Sequence, residues 1–394
     1  MSRSTQVVLG SIALGCLIYA LSPGPGHFIA RPTKLELREQ LIYLTGACTA
    51  ALMVVSMAIS ARLPWVSRLM KGLDKGYIVH KWTGILSAIF VMCHFLLENV
   101  PKWLVEAGVI PNPGELSDGM PFSELEMGLF ESGVVVAQLA FYGIMVLVVM
   151  ALFKKIPYHW FRKSHRFFPV VFLLAAYHGA TAQLKESWLG SPGSYLLLLI
   201  LSMGVVTALI SLFKKIGASR SAMAKISQID LHDNKILDLR LTLENITLPS
   251  QPGQYAFLKF SHHDEPHPFS IASHEKGEVL RFAIKGLGDF TSQLHHHLHV
   301  GQAVQVEGPY GEFVFGDTCE RQIWIAGGIG ITPFMARLEH LANHPQKQPI
   351  DFWYSTRGGK TESFPLSLEH SCSLSGVNLY HLDSSKKKNM SRWS

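Results

Sequence analysis

The stretch "IVHKWTGILSAIFVMCHFLLE", residues 78–98, is apolar enough to lie in a lipid bilayer, yet it carries two histidines, His80 and His94. A titratable ring inside a membrane is costly and is seldom found there without a partner. Fourteen residues of α-helix span about 21 Å and nearly four turns, so both rings point to similar sides of one helix at two depths. The stretch therefore predicts a membrane helix with two buried functional groups.

Five further segments approach the roughly 20 apolar residues that a membrane-spanning helix needs. Together with the first stretch, the predicted spans are 6–22, 40–60, 78–98, 132–153, 167–184 and 193–213. The first span follows Arg3 and could be a signal peptide, but no convincing small-x-small cleavage site follows it, which favours a retained helix. A composition that is 48% hydrophobic and only 16% charged also indicates that part of the protein lies in the membrane.

Basic residues cluster in the predicted links 61–77 and 154–166, whereas the link 99–131 is mainly acidic. Because cytoplasmic loops are enriched in Lys and Arg, both termini are predicted to lie in the cytoplasm of a multi-pass protein, in the inner membrane if it is bacterial. This topology explains the net charge of +6 better than nucleic-acid binding does. The five cysteines form no CxxC pair, so neither a disulfide framework nor a thiolate metal site is indicated.

A second histidine pair lies in the fifth predicted span, "SHRFFPVVFLLAAYHGA" (164–180), where His165 and His178 are thirteen residues apart. Thirteen residues fall short of four turns, but Pro169 cannot donate to the carbonyl of His165, and a kink there would re-aim that ring. In the predicted topology the third and fifth spans run in parallel. His80 therefore faces His165 near the cytoplasm, and His94 faces His178 near the outer face.

Two facing imidazoles at each of two depths suit two stacked haems b, because low-spin haem iron takes two axial nitrogen ligands across the porphyrin plane. Binuclear zinc sites and a proton path are the alternatives that these residues leave open. The predicted metal ligands are His80, His94, His165 and His178.

The pattern of apolar and polar residues changes after the last predicted span. Short alternating runs such as "KILDLRLTL" and "VLRFAIK" fill residues 224–315 and predict an antiparallel barrel or sandwich. From residue 321 the pattern is strand, Gly-rich turn, helix and strand, which begins a βαβ unit. We predict three domains: a six-helix membrane bundle with two haems at 1–215, an antiparallel β-barrel FAD domain at 220–318, and a short, incomplete α/β nucleotide-binding domain at 319–394.

The runs "PGQYAFLKF", "HPFSIAS" and "FAIKGLGDFTSQL" form an ordered set that suits a flavin. A flavin needs a flat pocket, hydrogen bonds at the isoalloxazine edge, and backbone donors for its pyrophosphate. A predicted helix at 291–299 would offer its N-terminal amides to that phosphate. The predicted flavin contacts are His267, Pro268, Phe269, Ser270, Ile284, Lys285, Gly288 and Thr291, with Phe269 and Ser270 as the catalytic pair.

The run "IAGGIGITPF" follows a predicted strand and lets backbone amides approach a nucleotide phosphate. The predicted contacts are Gly327, Gly328, Gly330, Thr332, Pro333 and Arg357. Arg357 and Lys360 in "STRGGK" could bind a 2′-phosphate and so favour NADPH over NADH, or could lie in a solvated loop. The tract "HHHLH" at 295–299 is either a metal-binding tract or an exposed helix end.

Over most of residues 40–360 this order of motifs resembles the NADPH oxidase and ferric reductase superfamily. The resemblance implies that His80 and His165 bind an inner haem and that His94 and His178 bind an outer haem. It also implies an FAD barrel and an NAD(P)H-binding domain similar to those of ferredoxin–NADP reductase. The implied activity is electron transfer from NAD(P)H through FAD and two haems b to ferric iron or dioxygen on the outer face.

The resemblance ends before the C-terminus. Members of the family continue to a Cys-Gly-x-x-Pro segment, whereas this chain ends in "DSSKKKNMSRWS", and Cys372 in "HSCSLSG" does not fit that segment. We therefore expect a truncated nucleotide domain that oxidises NADPH slowly. The alternative functions are a haem-binding electron-transfer subunit, or inactive remnant, and a metal transporter that uses the histidine pairs.

Overall fold

The structure, a computed structural model, describes residues 1–30, 33–111, 123–153, 155–232, 236–244, 247–261, 265–273, 278–316, 320–356 and 368–383. Contacts between residues divide the chain into two compact units, Met1–Ile216 and Gly217–Ser394. The first unit is helical, and the second contains both β-sheets.

The helices of the first unit include six segments that could cross a membrane. The α-helices are α1 (Arg3–Ala20), α2 (Gly24–Ala30), α3 (Lys34–Ser60), α4 (Pro64–Met70), α5 (Leu73–Glu106), α6 (Glu124–Leu152), α7 (Tyr158–His165), α8 (Phe168–Thr181) and α9 (Pro192–Leu212). The segments long and apolar enough to span are Arg3–Ala20, Lys34–Ser60, Leu73–Glu106, Glu124–Leu152, Trp160–Leu184 and Pro192–Leu212. Within the described residues their number agrees with the prediction.

Several helices are longer than predicted, because polar residues cap them outside the apolar runs. α3 begins well before residue 40, because the Thr33 hydroxyl accepts a hydrogen bond from the Glu36 amide at 3.1 Å. At the start of α6, Ser123 and Glu126 form a capping box, which satisfies two backbone donors that the helix itself leaves unpaired. The apolar run therefore predicts the lipid-facing length of a helix and not its full length.

The fifth membrane segment, Trp160–Leu184, is interrupted between two helices. α7 ends at His165 and α8 begins at Phe168, with Pro169 in the first turn of α8. Because proline has no amide hydrogen, it cannot donate to the His165 carbonyl, and the chain bends between the two helices. The predicted kink at this position is confirmed, and the predicted span 167–184 is wrong in its start.

The core of the first unit lies where α1, α3, α8 and α9 meet. Its fully buried members include Ile18, Ala51, Met53, Phe172 and Ala208. Close packing of α8 against α9 depends on Gly204, where a Cβ atom would overlap the Phe172 ring. Since α8 also carries His178, this contact fixes the height and rotation of one candidate ligand.

The first sheet of the second unit is antiparallel and six-stranded. Its strands are β1 (Ser221–His232), β2 (Ile236–Leu243), β3 (Tyr255–Lys259), β4 (His267–Ser270), β5 (Val279–Lys285) and β6 (Ala303–Tyr310), in the spatial order β4-β3-β6-β1-β2-β5. An isolated bridge between Ile271 and Phe282 brings the two outer strands together. The core inside this curved sheet includes Ile226, Leu239, Leu258, Phe282 and Val304.

α10 (Asp289–His297) follows β5 and begins two residues earlier than the predicted helix 291–299. Gly288 is its N-cap, and the Thr291 side chain closes the first turn. The histidine tract lies at the C-terminal end of this helix. In the part of the chain that the structure describes, no group of three or more His, Cys, Asp or Glu side chains could hold a metal ion.

The second sheet is parallel, in the order β7-β8-β9. Its strands are β7 (Gln322–Gly327), β8 (Ile350–Thr356) and β9 (Val377–Asp383), and its helices are α11 (Thr332–Asn343) and α12 (Leu368–Leu374). The predicted strand–helix–strand start is confirmed. The third strand and α12 were not predicted, and they bury Tyr354 and Cys372 in a core shared with α11.

Candidate functional site

The ring centres of His94 on α5 and His178 on α8 lie 6.3 Å apart, with an interplanar angle of 73°. The Nδ1 atom of His94 lies 3.0 Å from the Ile42 carbonyl oxygen on α3, to which it donates, and 3.3 Å from the Thr45 hydroxyl. His178 bonds the backbone of Gly133 on α6. A histidine whose Nδ1–H is held by a carbonyl presents its Nε2 lone pair to a metal, so His94 has the tautomer of a ligand.

The ring centres of His80 on α5 and His165 at the end of α7 lie 6.0 Å apart at 86°. His80 Nδ1 lies 3.1 Å from the Ser56 carbonyl oxygen and 2.8 Å from the Ser56 hydroxyl. The His165 ring stacks on Phe168 and contacts the tilted ring of Phe161, and its buried Nδ1 has no hydrogen-bond partner among the described residues. The two levels thus share ring geometry and differ in how their rings are anchored.

A cavity of about 510 Å³ opens beside His94 and His178. Gly46 forms part of its wall, and a Cβ atom there would lie 3.3 Å from Cε1 of His94. Two deeply buried polar atoms on the wall, Oε1 of Gln183 and Nε1 of Trp188, have no hydrogen-bond partner among the described residues. A buried polar atom without a partner is costly, so the cavity is suited to an occupant that is apolar in body and polar at its edge.

The mouth of this cavity carries charge. Arg38 at the start of α3 bonds the Glu98 carboxylate at 3.1 Å, and Lys102 bonds the same carboxylate at 2.6 Å. Arg38 also donates to the Leu97 carbonyl at 2.7 Å. These contacts join the first turns of α3 to the last turns of α5, so one end of the cavity is held by polar groups while its body is apolar.

The predicted flavin residues of β4 lie together on the outer strand of the antiparallel sheet. Phe269 and Ser270 pair with Ala256 and Tyr255 of β3. Pro268 is exposed, whereas Phe269 packs partly against the core. β4 therefore presents a short, rigid edge at which the Ser270 hydroxyl is half-buried.

The His267 ring stacks on Phe290 of α10, with centroids 3.9 Å apart and an angle of 14°. The hydroxyl oxygen of Thr291 accepts from the amides of Leu287 and Gly288 at 3.0 and 3.1 Å. These contacts bring β4 and the start of α10 together, as a flavin site on these two elements requires. The Ile284 side chain is buried in the core of the sheet, so only its backbone could meet a cofactor, while Lys285 beside it is half-buried.

The Gly-rich turn joins β7 to α11. Gly328 has a φ of +50°, a conformation that side chains rarely adopt, and it follows the last strand residue, Gly327. A short 3₁₀ turn, Gly328–Ile331, contains Gly330 and leads into Thr332 and Pro333 in the first turn of α11. The predicted Gly-rich residues therefore meet at one helix N-terminus, which favours a phosphate. Arg357 and Lys360 lie outside the described residues.

Cys372 lies in α12 and is buried in the core of the parallel sheet. Burial raises the pKa of its thiol to about 12, so the group is protonated at neutral pH. A buried, protonated thiol is inert, and Cys372 acts here as a small apolar residue.

Two family matches cover the two units. Residues 45–176 match the family described as ferric reductase like transmembrane component, and residues 221–314 match an FAD-binding domain. The first match lies in the helical unit, and the second lies in the antiparallel sheet that follows it. Together the two matches support the ferric reductase and NADPH oxidase superfamily.

Curated proteins similar to this chain include an NADPH oxidase heavy chain and a monooxygenase reductase component. The chain is 26% identical over 235 residues to a superoxide-generating NADPH oxidase heavy chain of Dictyostelium discoideum, which covers 52% of this chain and 32% of that protein. It is 30% identical over 138 residues to the propane 2-monooxygenase reductase component of Mycolicibacterium smegmatis, which covers 34% of this chain and 40% of that protein. The chain thus spans less than half the length of either relative.

A solved structure is similar to the second unit. It is the flavohem-like FAD/NAD binding domain of nitric oxide dioxygenase from Vibrio cholerae, at 21% identity and a TM-score of 0.38, over 42% of this chain and 76% of that chain.

The ferric reductase match and the six apolar helices support an integral, multi-pass membrane protein, and the second match supports an FAD-binding domain. The ferric reductase match includes His80, His94 and His165 and ends two residues before His178. The FAD-binding match includes the His267–Ser270 strand and Thr291. The candidate haem and flavin residues therefore lie in, or next to, the matched parts of the chain, whereas the Gly-rich residues 327–333 lie beyond them.

The sequence did not single out several residues that the structure brings to these sites. Gln183 and Trp188 line the cavity beside His94, and His381 on β9 contacts Thr356 at the end of β8. The signal for Gln183 was readable, since it follows His178 by five positions in an apolar span. His381 had no such signal, because its site depends on parallel strand pairing between residues far apart in the chain.

Proposed function

We propose that this protein is a transmembrane oxidoreductase that passes electrons from NAD(P)H, through FAD and two b-type haems, to ferric iron or dioxygen on the outer face. The observation that carries this proposal is the pair of facing histidine couples on α5 and α7–α8. His80 and His94 are fourteen positions apart, which separates the two levels by about 21 Å, a large part of an apolar layer about 30 Å thick.

The histidine geometry fits haem better than zinc. Metal–imidazole bonds of about 2.0–2.1 Å put the centres of two opposed rings about 6 Å apart, close to the observed 6.0 and 6.3 Å. Structural zinc takes four protein ligands, whereas the described residues contain no group of three or more side chains that could hold a metal ion. Two axial nitrogens per level suit a group that supplies its other four ligands itself.

His94 and His178 would hold one haem, and His80 and His165 the other. When bound, haem supplies one-electron chemistry and FAD turns a two-electron hydride donor into a source of single electrons. The chain's own residues orient these groups: the Ile42 and Ser56 carbonyls fix the tautomers of His94 and His80. Apolar side chains of α3, α6 and α8 line much of the cavity beside His94.

Phe269 and Ser270 would lie beside the flavin, with the amides at the start of α10 facing its pyrophosphate. The Gly-rich turn at 327–330 and the N-terminus of α11 would take the nucleotide phosphates. Loop charges favour a cytoplasmic location for the flavin half, because the basic links 61–77 and 154–166 belong on that side.

The deciding experiment is anaerobic addition of NADPH to the purified, FAD-loaded protein, followed by optical spectroscopy of the haem bands. We expect two haems per chain and their reduction by NADPH, and then reoxidation by ferric chelates or dioxygen. Superoxide dismutase separates the acceptors, because it suppresses only signals that depend on superoxide. A protein without haem, or with haem that only dithionite reduces, would contradict the proposal.

A further inference from the structure

The parallel sheet of the second unit is covered on one face only. In the described part of the chain, α11 and α12 both pack on the face that carries Trp324, Phe352 and Val377. Successive residues of a strand point to opposite faces. The other face, which we call the open face, carries five large apolar side chains: Ile323, Ile325, Trp353, Tyr380 and Leu382.

The residues of the open face are in contact with water. Their exposed fractions are 65% for Ile323, 76% for Ile325, 38% for Trp353, 40% for Tyr380 and 37% for Leu382. Trp353 and Tyr380 lie on neighbouring strands and stack, with ring centres 4.4 Å apart at an angle of 13°. Parallel sheets are normally buried on both faces, and a contiguous exposed apolar patch marks an interaction surface. The open face therefore lacks a second layer that the described residues do not supply.

The area of the open face is sufficient for a dimer. A large side chain carries roughly 150–250 Å² of surface, so at these exposed fractions the five residues present on the order of 500 Å². Two such faces in contact would bury about 1,000 Å², which is the total that a specific interface should reach. Polar residues at the rim would add to this area. The stacked Trp353 and Tyr380 at the centre are of the residue types that contribute most to binding at such positions.

Charge and side-chain size favour one way of packing two open faces. In the rows that cross the sheet, the first contains Ile323 and Asp351, the middle contains Trp353, and the last contains Gly327 and Ser355. A two-fold axis along the strands would put Asp351 of one copy opposite Asp351 of the other. An axis across the strands exchanges the first and last rows, so Asp351 faces Ser355 of the second copy, and Ile323 lies over Gly327, which has no side chain. Because like charges that face each other are destabilising, the second arrangement is favoured.

We propose that the open face is a self-association surface, through which two copies of this chain pack face to face, with their strands antiparallel, in a two-fold symmetric dimer. Each copy supplies the second layer of the other copy's parallel sheet, and the same patch is used on both, as two-fold symmetry requires. This surface is separate from the haem and flavin residues, so the proposal goes beyond the function proposed above.

The test is the protein mass of the purified full chain in detergent, measured by multi-angle light scattering. We expect a dimer, with twice the chain mass of 43.8 kDa. In the favoured arrangement Ile325 lies opposite Ile325 of the second copy. Ile325→Lys and Ile325→Glu therefore each put like charges face to face, and each should reduce the mass to that of a monomer. A mixture of the two variants should recover the dimer, because Lys then faces Glu.

The matched control is Val300→Lys, since Val300 is an exposed apolar residue of the same unit that lies outside the open face. It should leave the dimer intact, and circular dichroism reports the folding of every variant. A monomeric wild type, or a dimer that Ile325→Lys leaves intact, would overturn the proposal and leave the open face to a different partner. Equally, a mixture of the two Ile325 variants that stays monomeric would contradict the face-to-face packing.

Discussion

The candidate ligands of the two units are held in different ways. In the helical unit the rings of His94 and His178 are enclosed by α3, α5, α6 and α8, and the His94 tautomer is fixed by a main-chain carbonyl. In the second unit, Thr291 and the Gly-rich turn lie at the start of helices, next to exposed loops. A side chain that is enclosed by helices is oriented before any ligand binds. A site at an exposed edge is completed only when its ligand binds. Substitutions should therefore be all-or-none in the first unit and graded in the second.

The largest effect is expected from the histidines themselves. His94→Ala or His178→Ala leaves a single imidazole at the outer level and removes the second axial nitrogen that fixes a low-spin haem. The haem content should fall from two per chain to one, as measured by the pyridine haemochrome, while the chain still inserts and folds. His27→Ala, which changes an exposed histidine of α2, should retain both haems. Variants that keep two haems would show that the outer couple is not a haem site.

A second prediction uses the cavity and leaves every histidine in place. Gly46→Leu puts a branched side chain where even a Cβ atom would lie 3.3 Å from the His94 ring. The side chain would occupy the space beside the ring, so we expect most of the outer haem to be lost while the inner haem remains. Gly10→Leu on α1 is the matched control, because a Cβ there meets nothing within 4 Å. Full haem content in Gly46→Leu would mean that the occupant lies elsewhere.

In the helical unit, the features that depend only on neighbouring residues in the sequence were predicted well. Apolar runs gave the six spans, and Pro169 gave the break beside His165. The anchoring of the rings was not predictable, because Ile42 acts on His94 through its carbonyl across 52 positions of sequence. Every residue has that carbonyl, so no side-chain pattern distinguishes the one that faces a histidine.

In the second unit, the alternation of apolar and polar residues predicted the antiparallel strands, and the glycines predicted the turn after β7. The third parallel strand was missed, since "VNLYHLD" is short and gains its stability from pairing with β8, which the local pattern does not contain. The start of α10 was misplaced by two residues, because its N-cap is a glycine without a capping side chain of its own. Local sequence patterns therefore predicted the individual strands and helices. The arrangement of the carboxyl edge of the parallel sheet depends on contacts between strands that are distant in sequence, which those patterns do not contain.

A graded effect is expected at Thr291. Thr291→Ala removes the acceptor of the Leu287 and Gly288 amides, and loss of a cap of this kind costs about 1 kcal/mol. If that loop forms part of the flavin site, the Kd for FAD should rise about five-fold, with both haems retained. Thr291→Ser keeps the hydroxyl and should bind FAD as the wild type does. Unchanged FAD affinity in Thr291→Ala would show that the start of α10 does not contact the flavin.

The smallest effect is expected at Asp351, on the amino-terminal half of β8, away from the nucleotide edge. The Asn378 amide donates to its carboxylate at 3.1 Å and Arg321 donates at 2.7 Å, and these bonds lower the pKa of Asp351 although desolvation opposes them. Its folded pKa is thus below the unfolded value of about 3.9. The carboxylate therefore stabilises the sheet fully above that unfolded value, and the contribution is lost as the pH falls toward the folded pKa.

Urea unfolding of the second unit, followed by release of FAD at several pH values from 7 down to about 2, measures this contribution. Asp351→Asn should lower the urea midpoint at neutral pH and flatten its fall with acid, whereas Asp230→Asn, at an exposed carboxylate of β1, should leave the pH profile unchanged. Because Asp351 joins β8 to β9 through Asn378, the same variant also tests whether the edge site depends on the far end of the sheet. A change in NADP⁺ affinity in Asp351→Asn would show that the nucleotide edge depends on the whole β8–β9 pair, whereas an unchanged affinity would confine the effect of Asp351 to the stability of the sheet.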